Sequence, residues 1–223
     1  MYKVVFQTTD FYLINKQAGV SVHRDELECG LLDRMRQQLG DKQLYLIHRL
    51  DKMTSGLLLI GRNKQAASIL SQLFANRQVE KYYLAISGKK PKKKQGVVIG
   101  DMAQGRRSGW KLISSKENPA ITQFYSLSVK AGERLFLCRP HTGKTHQIRV
   151  ALKSVGSPIL GDETYAGAKA DRGYLHAYSL SFNYLDKAYC FVEIPDDGEH
   201  WPTKEQLAEW ANPIQLPWPK LNK

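Results

Sequence analysis

Residues 44–60 read Leu-Tyr-Leu-Ile-His-Arg-Leu-Asp-Lys-Met-Thr-Ser-Gly-Leu-Leu-Leu-Ile. Two short apolar runs, 44–47 and 57–60, read as strands, and they bracket the polar stretch from His48 to Gly56. A turn held between two rigid strands is a good place to present one carboxylate. Asp51 has His48, Arg49 and Lys52 as neighbours, which favours its charged form. An ionised aspartate in a partly desolvated pocket is a competent nucleophile or base. Taken alone, the same residues also suit a charged surface turn in which Asp51 pairs with a neighbour.

Outward from this stretch, short apolar runs alternate with short helical patterns. Residues 3–6 and 11–15 read as strands around a Thr-Thr-Asp turn. Leu31, Leu32, Met35 and Leu39 share one helical face, with Gly40 as a C-terminal stop. Asn63 is placed to cap a helix whose inner face is Ala66, Ala67, Leu70, Leu73 and Phe74. Residues 81–87, 121–129 and 134–139 are strand-like, and Ala131-Gly132 predicts a hairpin between the last two. A helix is expected over 146–155, stopping at Gly156. Residues 174–182 and 188–194 read as paired strands, Thr203 as the cap of a short helix through Trp210, and the Pro-rich 213–223 as an extended tail. Strands in hairpin-like order with a few helices packed on them predict an α+β fold.

The chain has 223 residues, 42% hydrophobic and 24% charged, which is enough to bury a core without a metal or disulfide staple. Its net charge of +12 makes a polyanion the first partner to expect. Cys29, Cys138 and Cys190 form no CxxC pair, so reduced thiols are expected rather than a zinc site or a disulfide framework. The N-terminus lacks a signal-peptide pattern and no run is long enough to span a membrane, so a soluble, cytoplasmic protein is expected. Lys89-Lys90-Pro91-Lys92-Lys93-Lys94 reads as an exposed loop, equally suited to touching phosphates or to plain solvation.

Two further segments carry candidate chemistry. His141-Thr142-Gly143-Lys144-Thr145-His146-Gln147-Ile148-Arg149 contains Gly-Lys-Thr, but a phosphate loop needs a glycine where Cys138 stands. His141 and His146 have no carboxylate or cysteine at ligand spacing, which argues against a metal. What survives is a turn entering a helix, where amides favour anions and Arg149 offers a planar fork for a carboxylate or phosphate. On the strand Lys81-Tyr82-Tyr83-Leu84-Ala85, Tyr83 and Lys81 share one face and Tyr82 takes the other. Tyr83 is therefore placed either to stack on a nucleobase, worth roughly 1–3 kcal/mol, or to sit half-buried in the core. Residues 156–165, Gly-Ser-Pro-Ile-Leu-Gly-Asp-Glu-Thr-Tyr, read alone as a structural loop.

Together these segments closely resemble the RNA pseudouridine synthases of the RluA-like branch. HRLDKMTSGLLL (48–59) is similar to that branch's central motif, TGKTHQIR (142–149) and GSPILGDETY (156–165) to its later one, and Lys81-x-Tyr83-x-Ala85 to the tyrosine motif between them. Residues 10–23, with Lys16 and His23, resemble its opening segment, and Leu175-His176-Ala177 its closing one. The resemblance implies a mixed, mostly antiparallel sheet with peripheral helices and a central cleft. It implies an isomerase that flips uridine out of ribosomal or transfer RNA and needs no cofactor, metal or nucleotide. It makes Asp51 the essential aspartate, Tyr83 the residue against the uracil, Arg149 the partner of Asp51, Arg49 the filler of the vacated base site, and Ile148 a wall of the pocket. His48, Thr54, Lys81, Lys144, His146 and Gln147 fall in the same motifs and are expected on the RNA-binding side.

Departures bear on RNA specificity: Lys144 stands where the family usually has arginine, Gln17 replaces a proline, Ala151 a histidine, and Asn183-Tyr184 a His-Pro pair. One catalytic domain over 1–212 is expected, followed by the 213–223 tail, acting as a monomer without an N-terminal accessory domain. The rival is a catalytically silent RNA-binding or folding factor on the same scaffold. Intact Asp51, Tyr83 and Arg149 favour the enzyme.

Overall fold

A computed structural model of the chain describes residues 1–22, 30–105 and 109–221. His23 and Cys29 lie outside the described residues. In chain order the elements are β1 (Tyr2–Gln7), β2 (Phe11–Lys16), α1 (Leu31–Leu39), β3 (Tyr45–Leu46), β4 (Ser55–Gly61), α2 (Lys64–Ala75), β5 (Glu80–Ser87), β6 (Gln95–Gln104), β7 (Trp110–Ile113), β8 (Ala120–Lys130), β9 (Glu133–Pro140), α3 (Gln147–Ser154), β10 (Leu175–Tyr184) and β11 (Lys187–Val192). The fold is α+β, as the hairpin-like order predicts. The chain divides into two compact units, Met1–Val79 with His176–Pro195, and Glu80–Leu175 with Asp196–Lys223.

In the first unit, β1 pairs β2, β2 pairs β4, and both pairings are antiparallel. The other edge of β4 is shared: β10 runs parallel to it at Ser55 and Gly56, and β3 lies antiparallel at Ile60 and Gly61. β11 extends β10 as a hairpin. Every residue of β2 and β4 is buried, which is why both read as near-continuous apolar runs rather than as alternating ones. α2 covers β4 with Ala66, Ala67 and Leu70, and the Asn63 side chain accepts the Ala66 N–H (2.8 Å), the predicted cap. Phe6, Phe11, Phe182, Tyr189 and Phe191 form an aromatic cluster with centroids 5.1–6.1 Å apart. α1 ends as expected on Gly40 in the left-handed region.

Gly56 shows why the central motif ends in glycine. Its φ is +104°, and a Cβ there would fall 2.4 Å from the Ala177 carbonyl oxygen of β10. Gly56→Ala is expected to cost about 2–5 kcal/mol, combining backbone strain with overpacking against main chain that cannot retreat. Urea denaturation checks this, since the midpoint should fall with little change in slope.

The second unit is an antiparallel sheet in the order β5-β9-β8-β6-β7. The Ala131-Gly132 hairpin joins β8 to β9 as predicted, and Leu135 to Cys138 of β9 are fully buried. α3 packs against β7, β8 and β9. β6 and β7 are absent from the sequence reading. The helix expected from Thr203 through Trp210 forms only as turns followed by a 3₁₀ segment, Ala208–Trp210. Its two buried residues, Leu207 and Trp210, are three apart, the spacing at which a 3₁₀ turn aligns side chains. The tail is not simply extended either: Pro213–Gln215 is a 3₁₀ turn, and Trp218 lies on Tyr82 with ring centroids 5.7 Å apart. No described helix is long and apolar enough to cross a membrane.

Candidate active site

The first unit carries the Asp51 turn between β3 and β4. Apolar anchors set its shape: Ile47 and Leu50 are buried while Arg49 between them is exposed. The Asp51 carbonyl accepts the Thr54 N–H (3.0 Å), closing a tight turn on a buried threonine. On one side His48 holds the turn: its Nε2 accepts the Leu59 N–H of β4 (3.0 Å), and its ring stacks on Phe74 of α2 (4.2 Å, 17°). On the other side the Lys52 carbonyl accepts the Gly19 N–H (2.8 Å) and Nζ of Lys16 (3.4 Å). Lys16 is fully buried and also donates to the carbonyls of Gln17 and Val20 (3.0 and 2.9 Å). A buried ammonium surrounded by carbonyl dipoles fixes the backbone around it, because leaving those bonds costs desolvation without return. The Asp51 side chain, half-buried, therefore projects from a backbone held at both ends.

Behind the turn, Ser55 and His176 hydrogen-bond at 2.8 Å, and the other ring nitrogen of His176 donates to the Glu193 carbonyl (2.9 Å). With Nε2 as donor, Nδ1 accepts the serine hydroxyl, so the pair braces β4 against β10.

The second unit carries the remaining expected residues. On β5, Tyr82 is fully buried and Tyr83 half-buried, the alternation expected of a strand. Glu80 and Arg139 form a two-point ion pair (3.0 and 2.9 Å) at the start of this strand, and the Arg139 guanidinium lies 5.8 Å from the Tyr82 ring centre. Opposite Tyr83 stands Cys138, whose thiol burial pushes well above its ordinary range, so it is a packing residue rather than a nucleophile. Lys81 is half-buried on the Tyr83 face.

Lys144, His146, Gln147, Ile148 and Arg149 come from the turn and first residues of α3. Gln147 makes four internal hydrogen bonds: its Oε1 accepts from Thr142 (2.7 Å) and the Lys144 N–H (3.0 Å), and its Nε2 donates to Ile121 (3.0 Å) and Thr122 (2.9 Å). It clamps the turn to β8. The amides expected to attract an anion are partly spent the same way, since the Gln147 N–H goes to the Lys144 carbonyl (3.2 Å). His146 adopts the left-handed region (φ +58°) and bonds the Tyr165 hydroxyl through Nδ1 (2.8 Å). Lys144 and His146 are half-buried, and Ile148 is buried.

Arg149 does meet a carboxylate fork to fork, and the partner within its unit is Asp162: Nε and Nη2 donate at 2.7 and 2.8 Å. The side chains are 8% and 1% exposed, and the guanidinium also sits 5.0 Å from the Tyr165 ring centre. Asp162 and Tyr165 received no role from the sequence, although a buried arginine demands a buried anion and the turn after α3 holds one. Gly161 makes that turn: φ is +77°, and a Cβ would lie 1.9 Å from the Arg172 carbonyl oxygen. Among the described residues no His/Cys/Asp/Glu group has the geometry to hold a metal ion.

Comparison with known proteins gives the class of this α+β scaffold. The family model for RNA pseudouridylate synthase matches residues 10–154. An RNA pseudouridine synthase from Haemophilus influenzae is 50% identical over 201 residues, covering 89% of this chain and 90% of that protein. Ribosomal large subunit pseudouridine synthase C from Rickettsia bellii is 35% identical over 188 residues, which is 79% of this chain and 62% of that protein. The solved structure of human RNA pseudouridylate synthase domain containing 1 superimposes with a TM-score of 0.78 at 26% identity, covering 99% of this chain and 97% of that one. The chain belongs to the RNA pseudouridine synthase family.

Proposed function

We propose that this protein converts uridine to pseudouridine in ribosomal or transfer RNA, with Asp51 as the essential carboxylate. The observation that carries the reading is the Asp51 turn. Its backbone is tied to β4 and α2 through His48 and to the opening loop through Lys16 and Gly19, and Asp51 itself is half-buried. Such preorganisation suits a group that must meet one bond of a bound substrate. Ribosomal RNA is supported by the name of the Rickettsia bellii relative.

The reaction breaks the bond from uracil N1 to ribose C1′, turns the base, and forms a bond from C5 to C1′. C5 gives up its proton and N1 ends protonated, so atoms and electrons balance without a redox partner, a metal or a nucleotide. The uridine must first leave its stack, at a cost of a few kcal/mol. Tyr83 offsets part of that by stacking on the uracil, and Arg49, exposed on the turn, fills the vacated position in the RNA. Arg149, held by Asp162 at Nε and Nη2, supplies a fixed positive charge to the reaction. Ile148 closes the apolar side of the base site. Thr54 and His48 act through the turn as positioning residues.

The test is release of tritium from RNA labelled at uridine C5. Tyr83→Phe is expected to keep most of the activity and Tyr83→Leu to lose about tenfold or more, the scale of one stacking contact. Equal loss in both variants would assign the role to the hydroxyl instead.

A further inference from the structure

The Lys89–Lys94 segment is five lysines and a proline, all five lysines are exposed, and none has a carboxylate partner among the described residues. A loop that merely tolerated solvent would relax to separate these charges. This one is held. The Lys89 N–H donates to Ser87 Oγ (3.2 Å), and Ser87 in turn donates to the Pro158 carbonyl (2.7 Å). The Lys89 carbonyl accepts from Ser157 Oγ (2.9 Å). Pro91 is buried, and the Lys92 N–H reaches the Val155 carbonyl (3.3 Å) at the end of α3. The Lys94 carbonyl takes both the N–H and the hydroxyl of Ser126 (2.7 and 2.9 Å). Ser87 and Ser157 are fully buried. Every loop anchor is a backbone atom or the proline ring, so the lysine side chains are left to point their charge outward.

The α3 C-terminus, with its partial negative charge, offsets the charge nearest Val155 but acts only within its last turn. Lys153, exposed on that turn, adds a sixth cation beside the loop. A row of like charges on a held backbone, with no carboxylate partner among the described residues, is an arrangement that a polyanion completes.

We propose that the Lys89–Lys94 loop is a preformed docking ridge for the phosphate backbone of the RNA, gripping it away from the reacting uridine. The proposal rests on the RNA-modifying reading above. β5 runs from Tyr83 directly into the loop, so Lys89 lies no more than roughly 20 Å from Tyr83 along the chain. That is about six phosphates along one strand of a duplex. The ridge therefore reads the flank of the target rather than the target itself. The loop and the catalytic arginine also share a support: Ser157 and Pro158 hold the loop, and four residues further on Asp162 holds Arg149.

The test replaces all five lysines by glutamine, which leaves the backbone anchors in place. Binding of a labelled RNA stem-loop is titrated against salt, and tritium release from C5-labelled ribosomal RNA is measured alongside. Lysines that displace counterions from at least three phosphates predict that the slope of log K against log salt becomes shallower by about 2 or more, with affinity at low salt down at least about tenfold. KM for RNA should rise and kcat at saturating RNA should stay unchanged. A variant with wild-type affinity and slope, or one that loses kcat with KM unchanged, overturns the docking ridge while active wild-type protein keeps the enzymatic reading. Wild-type protein that neither binds RNA in a salt-dependent way nor releases tritium overturns that reading, and the ridge with it.

Discussion

Asp51→Asn is expected to abolish tritium release from C5-labelled RNA, by at least about a thousandfold, while RNA affinity changes by no more than about threefold. The side chains are nearly the same size, and hydrogen bonds of His48, Thr54, Lys52 and Lys16 hold the backbone of the turn around position 51. The amide therefore keeps the shape and removes the anion. RNA affinity survives because phosphates are met by the basic surface of a protein with net charge +12. A matched loss of binding would mean that Asp51 shapes the RNA site instead of acting on the base.

The second large effect falls on Asp162, the ion-pair partner of Arg149. Asp162→Asn takes the anion from a guanidinium that is 8% exposed and already committed to it at two nitrogens. Leaving that charge buried is expected to cost about 3–5 kcal/mol, which for a chain of this length lowers the melting temperature by roughly 10 °C. Activity should fall as well, because Arg149 loses the fork that aims it. Replacing both residues, Arg149→Leu with Asp162→Leu, separates the two roles: much of the stability should return, since no unpaired charge is left, while activity stays lost. Recovery of activity in the double variant would make the pair purely structural. Calorimetry and tritium release on the three proteins decide it.

What could be read from the sequence was whatever local rules decide. Asn63 and Gly40 bound their helices because capping is a property of a few adjacent residues. Ala131-Gly132 made its hairpin for the same reason. β2 and β4 stood out as apolar runs because both faces are covered. β6 and β7 did not. Gly96 and Gly100 interrupt the first, and the second alternates between half-buried and exposed, so their strand character comes from pairing with each other and with β8. Residues 203–210 offered a cap and two large apolar residues, too few to hold an α-helix.

The candidate site divides along the same line. Asp51, Tyr83 and Arg149 were marked by residue type and motif. Asp162 was not, because the demand for it exists only once Arg149 is known to be buried. Gln147 was placed on the RNA side by its motif, and its four internal hydrogen bonds could not be read there because they form only when β8 packs beside it.

The most direct test of the central claim is a map of pseudouridines in total RNA from cells lacking this gene, complemented either with the wild-type chain or with Asp51→Asn. The account predicts one or more defined uridines in ribosomal or transfer RNA that are pseudouridine with the wild-type chain and uridine with the variant at equal protein level. Identical maps from both, or a site restored by the variant, would contradict it.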